Sequence, residues 1–186
     1  MITISEITMP FRCKIILKTY KRWLNKDDAV LDVGCGNGLV ANYLKKYSEI
    51  NIIVCDIENY LICDLPFRKI SKNGRLPFPN KRFDTVLLND VLHHLDRSRQ
   101  EGLLKESIRV AKKVLIFEAK PTIFGKLADV LLNRLHYGEI YTPLTFRDIL
   151  EWQILFKKLS LKFSALEIRK PFWYPFSHIV FNLEKK

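Results

Sequence analysis

The sequence is short of several features that would settle a function at once. No apolar run is longer than a strand, which leaves no stretch for a membrane span. The opening residues MITISEITMPFRCK hold no apolar stretch behind a basic segment, so no signal peptide is expected. Cys13, Cys35, Cys55 and Cys63 form no CxxC pair and have no histidine at zinc spacing. That excludes a metal ribbon or a dithiol redox motif and fits reduced thiols in a cytoplasmic protein. Repeats, linkers and low-complexity tracts are absent. Acids are scarce beside bases: 20 Asp and Glu against 31 Lys and Arg give a net charge of +11. Such a balance can point to nucleic acid or an anionic membrane. Yet the cations are scattered in pairs such as Lys45-Lys46, Lys112-Lys113 and Lys157-Lys158, with no block of five. A generally solvated basic surface is the reading this pattern favours.

What is present is enough for one domain. A chain of 186 residues, 48% hydrophobic, can bury a core that needs no staples. Pro10 to Asn25 reads as an amphipathic helix, with Phe11, Ile15, Thr19 and Trp23 at four-residue spacing. Ala29–Val33 and Asn51–Cys55 are short apolar runs suited to buried parallel strands, separated by a helix over Leu39–Tyr47. Pro66–Ser71 is a candidate third strand, followed by an Asn73-Gly74 turn. Phe83–Leu88 and Val114–Phe117 are further buried strands, with a helix over Arg97–Lys113 between them. Helical patterns over Ile123–Leu135 and Thr145–Leu159 precede two closing strands, Phe163–Ile168 and His178–Leu183. The alternation predicts an α/β fold, an open, mostly parallel sheet with helices on both faces. Ligands bind beyond the carboxyl ends of such strands. That rule singles out Gly34, Asp56, Asn89 and Glu118, at four strand mouths.

Val30 to Gly38, VLDVGCGNG, holds three of the seven glycines. A strand, Gly-x-Gly and a helix present bare backbone N–H groups at a positive helix end. Dinucleotides and S-adenosylmethionine both use such a cradle. The dinucleotide fingerprint needs a third glycine five residues after the first, and that position is Leu39. Asp32 adds to the case, since a carboxylate at the cradle repels a pyrophosphate but suits an ammonium or sulfonium group. Asp56 ends the next strand, where a carboxylate can accept from both ribose hydroxyls.

With these residues in place, the chain resembles a class I S-adenosylmethionine-dependent methyltransferase. It is closest to the small-molecule group with DxGxGxG and LPFxxxxFDxV motifs followed by a VLHHL helix. Here these are Asp32 to Gly38, Leu76 to Val86 and Val91 to Leu95. The resemblance covers residues 28 to 120 by motif and the remainder by topology. It implies a doubly wound, Rossmann-like sheet of seven strands with an antiparallel final strand, and S-adenosyl-L-methionine as cofactor. It implies one domain over 1–186, in which 1–28 forms a helix over the site and 120–145 an acceptor-side insertion. Carried over by position, Gly34, Cys35, Gly36 and Gly38 form the loop along the methionine portion and ribose. Asp32 orients the amino group, Asp56 holds the ribose and Ile57 packs on the adenine. Asn73 and Gly74 contact the adenine amino group, and Asn89 borders the methionine end. Two departures stand out. Asn73 replaces the family's usual acid, and only about twenty residues separate Asp56 from Leu76, so the customary second helix is expected to be lost or reduced to a turn.

Methyl transfer from a sulfonium asks a protein mainly for positioning and desolvation, and for a base only when the acceptor must lose a proton. His93, His94 and Glu118 are the candidate catalytic residues, with Asp90 a further acid; a cap or packing role competes for each. No metal site is expected. The acceptor is expected to be small or lipid-like, covered by the N-terminal helix and by Lys120 to Thr145, including Phe124, Leu127, His136, Tyr137 and Tyr141. An RNA methyltransferase and a catalytically idle, cofactor-binding partner subunit are the competing readings. Peripheral membrane contact stays open. The aromatic segment Lys170 to Phe176 reads as a packed hairpin tip.

Overall fold

The computed structural model describes residues 4–71, 73–122, 144–169, 171, 174 and 177–186, with side chains from residue 9 onward. The expected helix over Ile123–Leu135, the core of the acceptor-side insertion and most of the Lys170–Phe176 aromatics lie outside these residues. Seven strands form one sheet: β1 (Ala29–Val33), β2 (Asn51–Asp56), β3 (Phe67–Lys69), β4 (Phe83–Asn89), β5 (Ala111–Ala119), β6 (Leu161–Glu167) and β7 (His178–Lys185). Their order is β3-β2-β1-β4-β5-β7-β6. The strands from β1 to β5 pair in parallel, whereas β7 runs antiparallel to both β5 and β6. This is the doubly wound sheet with an antiparallel final strand that the sequence leads one to expect.

The continuous apolar strands are shared out by their period of two. Leu31 and Val33 of β1, Val86 and Leu88 of β4, and Val114 and Ile116 of β5 face one core. Helices α3 (Arg97–Val110) and α4 (Ile149–Lys158) close it with Leu104, Ile108, Trp152 and Phe156. Val30, Leu87, Leu115 and Phe117 face the other core. There α1 (Ile4–Tyr20) and α2 (Leu39–Ser48) supply Cys13, Ile16, Tyr20, Val40 and Leu44. By the same alternation Asp32 and Asn89 belong to the α1 side and Glu118 to the α3 side.

Four sequence expectations need correcting. Helix α1 starts at Ile4, six residues before Pro10, and ends at Tyr20 rather than Asn25. Its buried residues are Cys13, Ile16, Thr19 and Tyr20; of the expected stripe Thr19 is buried, but Phe11, Ile15 and Trp23 are half-buried, so its apolar face is turned from the expected one. Helix α3 stops at Val110, because Ala111 pairs with Phe83 and opens β5. The VLHHL segment is a single 3-10 turn, Leu92–His94. Leu95 is extended and the Asp96 side chain caps α3 by accepting from the Arg99 N–H, so the helix cannot start earlier. Between β2 and β3 no helix intervenes, as the short spacing suggests. The segment instead folds back on the glycine loop, with the Ile62 N–H donating to the Asn37 carbonyl.

Candidate functional site

The glycine loop follows β1 at the carboxyl end of the sheet. Gly34, Gly36 and Gly38 all have positive φ, at 73°, 51° and 79°. Side chains are excluded at two of them by their neighbours. A Cβ on Gly34 would lie 2.3 Å from Val91 Cγ2, and one on Gly38 would lie 2.5 Å from Leu61 Cδ2. The Gly34 N–H donates to the Cys55 carbonyl at 2.9 Å, and Gly38 opens α2 in the left-handed conformation. Cys35 is half-buried in the loop, and desolvation keeps its thiol protonated.

Asp56 is tied to the same loop. Its Oδ2 accepts from the Gly36 N–H at 2.9 Å and its Oδ1 from the Ile57 N–H at 2.7 Å. Burial raises its pKa despite these two donors. Ile57 stands beside it with an apolar side chain 59% exposed, a surface that solvent does not favour. The structure therefore brings Asp32, Gly34, Cys35, Gly36, Gly38, Asp56, Ile57 and Asn89 to one end of β1, β2 and β4. Asn73 and Gly74 stand apart in an exposed turn beyond β3. There Asn73 Oδ1 accepts from the Ser71 hydroxyl and the Arg75 N–H.

Asp32 is 2% exposed. Its Oδ1 accepts from Asn89 Nδ2 at 3.0 Å, and Asn89 Oδ1 accepts from the Tyr20 hydroxyl at 2.8 Å. Desolvation pushes the Asp32 pKa up to about 7, against the lowering effects of Asn89 and of the Arg12 charge. A buried acid in that condition lacks a cation.

At the mouths of β4 and β5 a second group of polar residues gathers around Glu118. Glu118, 1% exposed, accepts from the Val91 and Leu92 N–H groups with Oε1, at 3.0 and 2.7 Å. Its Oε2 lies 2.6 Å from His93 Nδ1. The His93 ring stacks on Phe146 at 4.8 Å, and its carbonyl accepts from the Thr145 N–H. His94 is half-buried beside it, ring centroids 4.1 Å apart. Asp90, in left-handed backbone at φ 53°, pairs with Arg12 at 2.9 Å and lies 3.3 Å from His178 Nε2. Although burial opposes it, the Arg12 guanidinium and the neighbouring His178 ring hold the Asp90 carboxyl well below the usual carboxylate range. Asp90, His93 and Glu118 place ligand-type atoms within 4.8 Å of one another. The Arg12 guanidinium already sits on Asp90, however, and the Glu118 oxygens are filled by protein donors.

Three participants escape the sequence reading. Tyr20 and Arg12 reach the site from 69 and 77 residues away along the chain. Fully buried Gln100 pins the His93 turn by donating to the Leu92, Leu95 and Thr145 carbonyls. A polar residue on the apolar stripe of α3 is the only sequence signal for it. No described helix is long and apolar enough to cross a membrane.

Residues 31–117 match the family model described as a methyltransferase domain. Among curated proteins, the uncharacterized protein MJ0638 of Methanocaldococcus jannaschii is 33% identical over 151 residues, which is 80% of this chain and 56% of that protein. The probable tRNA methyltransferase 9B of Mus musculus is 32% identical over 89 residues, 44% of this chain and 19% of that protein. The chain thus spans just over half of the first relative and about a fifth of the second. The sheet superposes on protein PH0226 of Pyrococcus horikoshii with a TM-score of 0.72 at 16% identity, covering 96% of this chain and 91% of that one. It superposes on a SAM dependent methyltransferase of Archaeoglobus fulgidus with a TM-score of 0.64 at 16% identity, covering 96% and 98%. A chain from the complex of the Haloferax volcanii Trm112 methyltransferase activator with a putative methyltransferase gives 0.66 at 14% identity, covering 96% and 92%. The sheet order and the glycine loop agree with this match: residues 31–117 match the methyltransferase domain, and the sheet as a whole has the fold of the SAM dependent methyltransferase it superposes on.

Proposed function

We propose that the chain transfers the methyl group of S-adenosylmethionine to a small or lipid-like acceptor by in-line displacement. The observation that carries this reading is Asp32, a buried carboxyl beside a bare-backbone cradle and short of a cation. An ammonium group on the ligand would supply that cation, and the loop glycines leave room for its methionine portion. Asp32 would hold the amino group and Asp56 the ribose hydroxyls. Ile57 would cover the adenine. Gly34, Cys35, Gly36 and Gly38 would line the methionine and ribose side, and Asn89 would border its methionine end. When bound, this group offers a methyl on an already activated sulfur.

The chain's share is then orientation, exclusion of water and, for an acceptor that must lose a proton, a base. Glu118 spends both oxygens on the turn and on His93 Nδ1, which makes it the anchor of that turn. Half-buried His94 is the candidate base beside them.

The small or lipid-like acceptor is favoured by how the basic surface is spent. Lys26, Lys69, Arg97, Lys105, Arg109, Lys112 and Lys158 each pair with a neighbouring acid. A tRNA acceptor is the second reading, favoured by the net charge and by the relative named a tRNA methyltransferase. A partner of the Trm112 kind would belong with it. Incubation with methyl-labelled S-adenosylmethionine and either a lipid and metabolite extract or total tRNA separates these. Label in the organic-soluble or small-molecule fraction supports the proposal, and label confined to tRNA replaces it. Cofactor binding without transfer to either would leave an idle, cofactor-binding subunit.

A further inference from the structure

Helix α1 does more than cover a core. Its last residue, Tyr20, is fully buried, yet its hydroxyl reaches across to Asn89 at the end of β4. Burying a hydroxyl and a primary amide together is costly unless each has a fixed partner. Here the partners enforce a direction. An ionised carboxylate only accepts hydrogen bonds, so Asn89 must turn its NH₂ toward Asp32 and its oxygen away. The oxygen then needs a donor, and the Tyr20 hydroxyl provides it at 2.8 Å. With a phenylalanine at position 20, nothing would stop the Asn89 amide from turning over and presenting its oxygen to Asp32.

We propose that Tyr20 is a positioning residue for the cofactor's amino group: through Asn89 it holds the Asp32 carboxylate ready for an ammonium partner. The inference rests on the cofactor reading above and deepens it, because it makes the seating of α1 a condition for binding. Tyr20 itself stays protonated, since burial and the charges of Asp32 and Asp90 raise its pKa well above the ordinary value. The other groups facing Asp32 are Arg12 from α1, Cys35 from the glycine loop, and Cys55 and Asp56 from β2. Arg12 favours the carboxylate and Asp56 opposes it, and the two thiols are neutral because burial raises both. None of these depends on the Tyr20 hydroxyl for its hydrogen bonds. The effect of removing that hydroxyl should therefore pass through Asn89 alone.

The test uses the whole chain and two readouts. Carbon-detected NMR of the Asp32 carboxyl in the cofactor-free protein follows its titration, and calorimetry follows S-adenosylmethionine affinity against pH. For Tyr20→Phe the Asp32 midpoint should rise by about one pH unit from its value near 7. Affinity at neutral pH should fall by about fivefold and recover to within about twofold of the parent's at roughly two units higher pH. Asn89→Ala should shift the midpoint at least as far, and the double variant no further than Asn89→Ala alone. A Tyr20→Phe chain with an unmoved midpoint, with weakening equal at every pH, or with an effect additive to Asn89→Ala would overturn the proposal. If the midpoint moves as expected but the parent chain binds no S-adenosylmethionine, the positioning role stands and the cofactor reading fails.

Discussion

Asp32 and Glu118 are both acids buried at strand mouths, on opposite faces of the sheet, and their surroundings differ in one respect. Glu118 receives two backbone N–H groups and a histidine nitrogen, so its charge is answered from within the protein. Asp32 receives one amide, and burial carries its pKa to about 7. A fully answered acid holds a structure together, and a half-answered one waits for a ligand. The two halves of the site differ accordingly. The β4–β5 end is a braced turn, and the β1–β2 end is a cradle whose charge balance is completed from outside.

The sharpest way to break the comparison is Glu118→Ala. It strands the Val91 and Leu92 N–H groups and His93, and should lower unfolding free energy by about 3–5 kcal/mol, read as a fall in the denaturation midpoint. If Asp32 were braced in the same way, its replacement would cost as much. His94→Ala separates the brace from the chemistry. It should reduce kcat by about a hundredfold for an acceptor that loses a proton, with cofactor affinity unchanged in calorimetry. Asp32→Asn should act with the opposite sign to Glu118→Ala on stability. Because the folded pKa of Asp32 lies above the ordinary value of 3.8, its stabilising contribution is complete below that value and is lost as pH rises through about 7. The cofactor-free Asp32→Asn chain should therefore gain about 1–3 kcal/mol above neutral pH and nothing under acid conditions, by denaturant titration. Lys69→Ala removes an ion pair with Glu58 in which both side chains are more than half exposed, and its denaturation midpoint should not move measurably.

What the sequence discloses about this molecule is what lies close together in the chain. The glycine loop, Asp56 and the alternation of strands with helices can be read because a strand, its turn and its helix occupy adjacent residues. Even the lost helix after β2 is visible, as a spacing too short to hold one. The phase of α1 is not, since Phe11, Ile15 and Trp23 are as apolar as the stripe that is buried. Only the docked sheet favours the side bearing Tyr20. The boundary at Ala111 is hidden because Ala-Lys-Lys suits a helix as well as a strand, and pairing with β4 decides it. The VLHHL turn is misread as a helix because its residues tolerate one, whereas Gln100 in the next helix and Glu118 on another strand fold it tighter. The contrast between Asp32 and Glu118 is wholly a matter of such distant partners. Both are simply acids at strand mouths until Tyr20, Asn89, Val91 and His93 are placed around them.

The central claim, that Asp32 is the charge left for the cofactor to complete, is tested most directly by calorimetric titration of S-adenosylmethionine into the parent chain and Asp32→Asn at slightly alkaline pH. The account predicts binding by the parent chain and an affinity weakened by about a hundredfold in the variant, while its cofactor-free fold is at least as stable. Equal affinities in the two chains would contradict it.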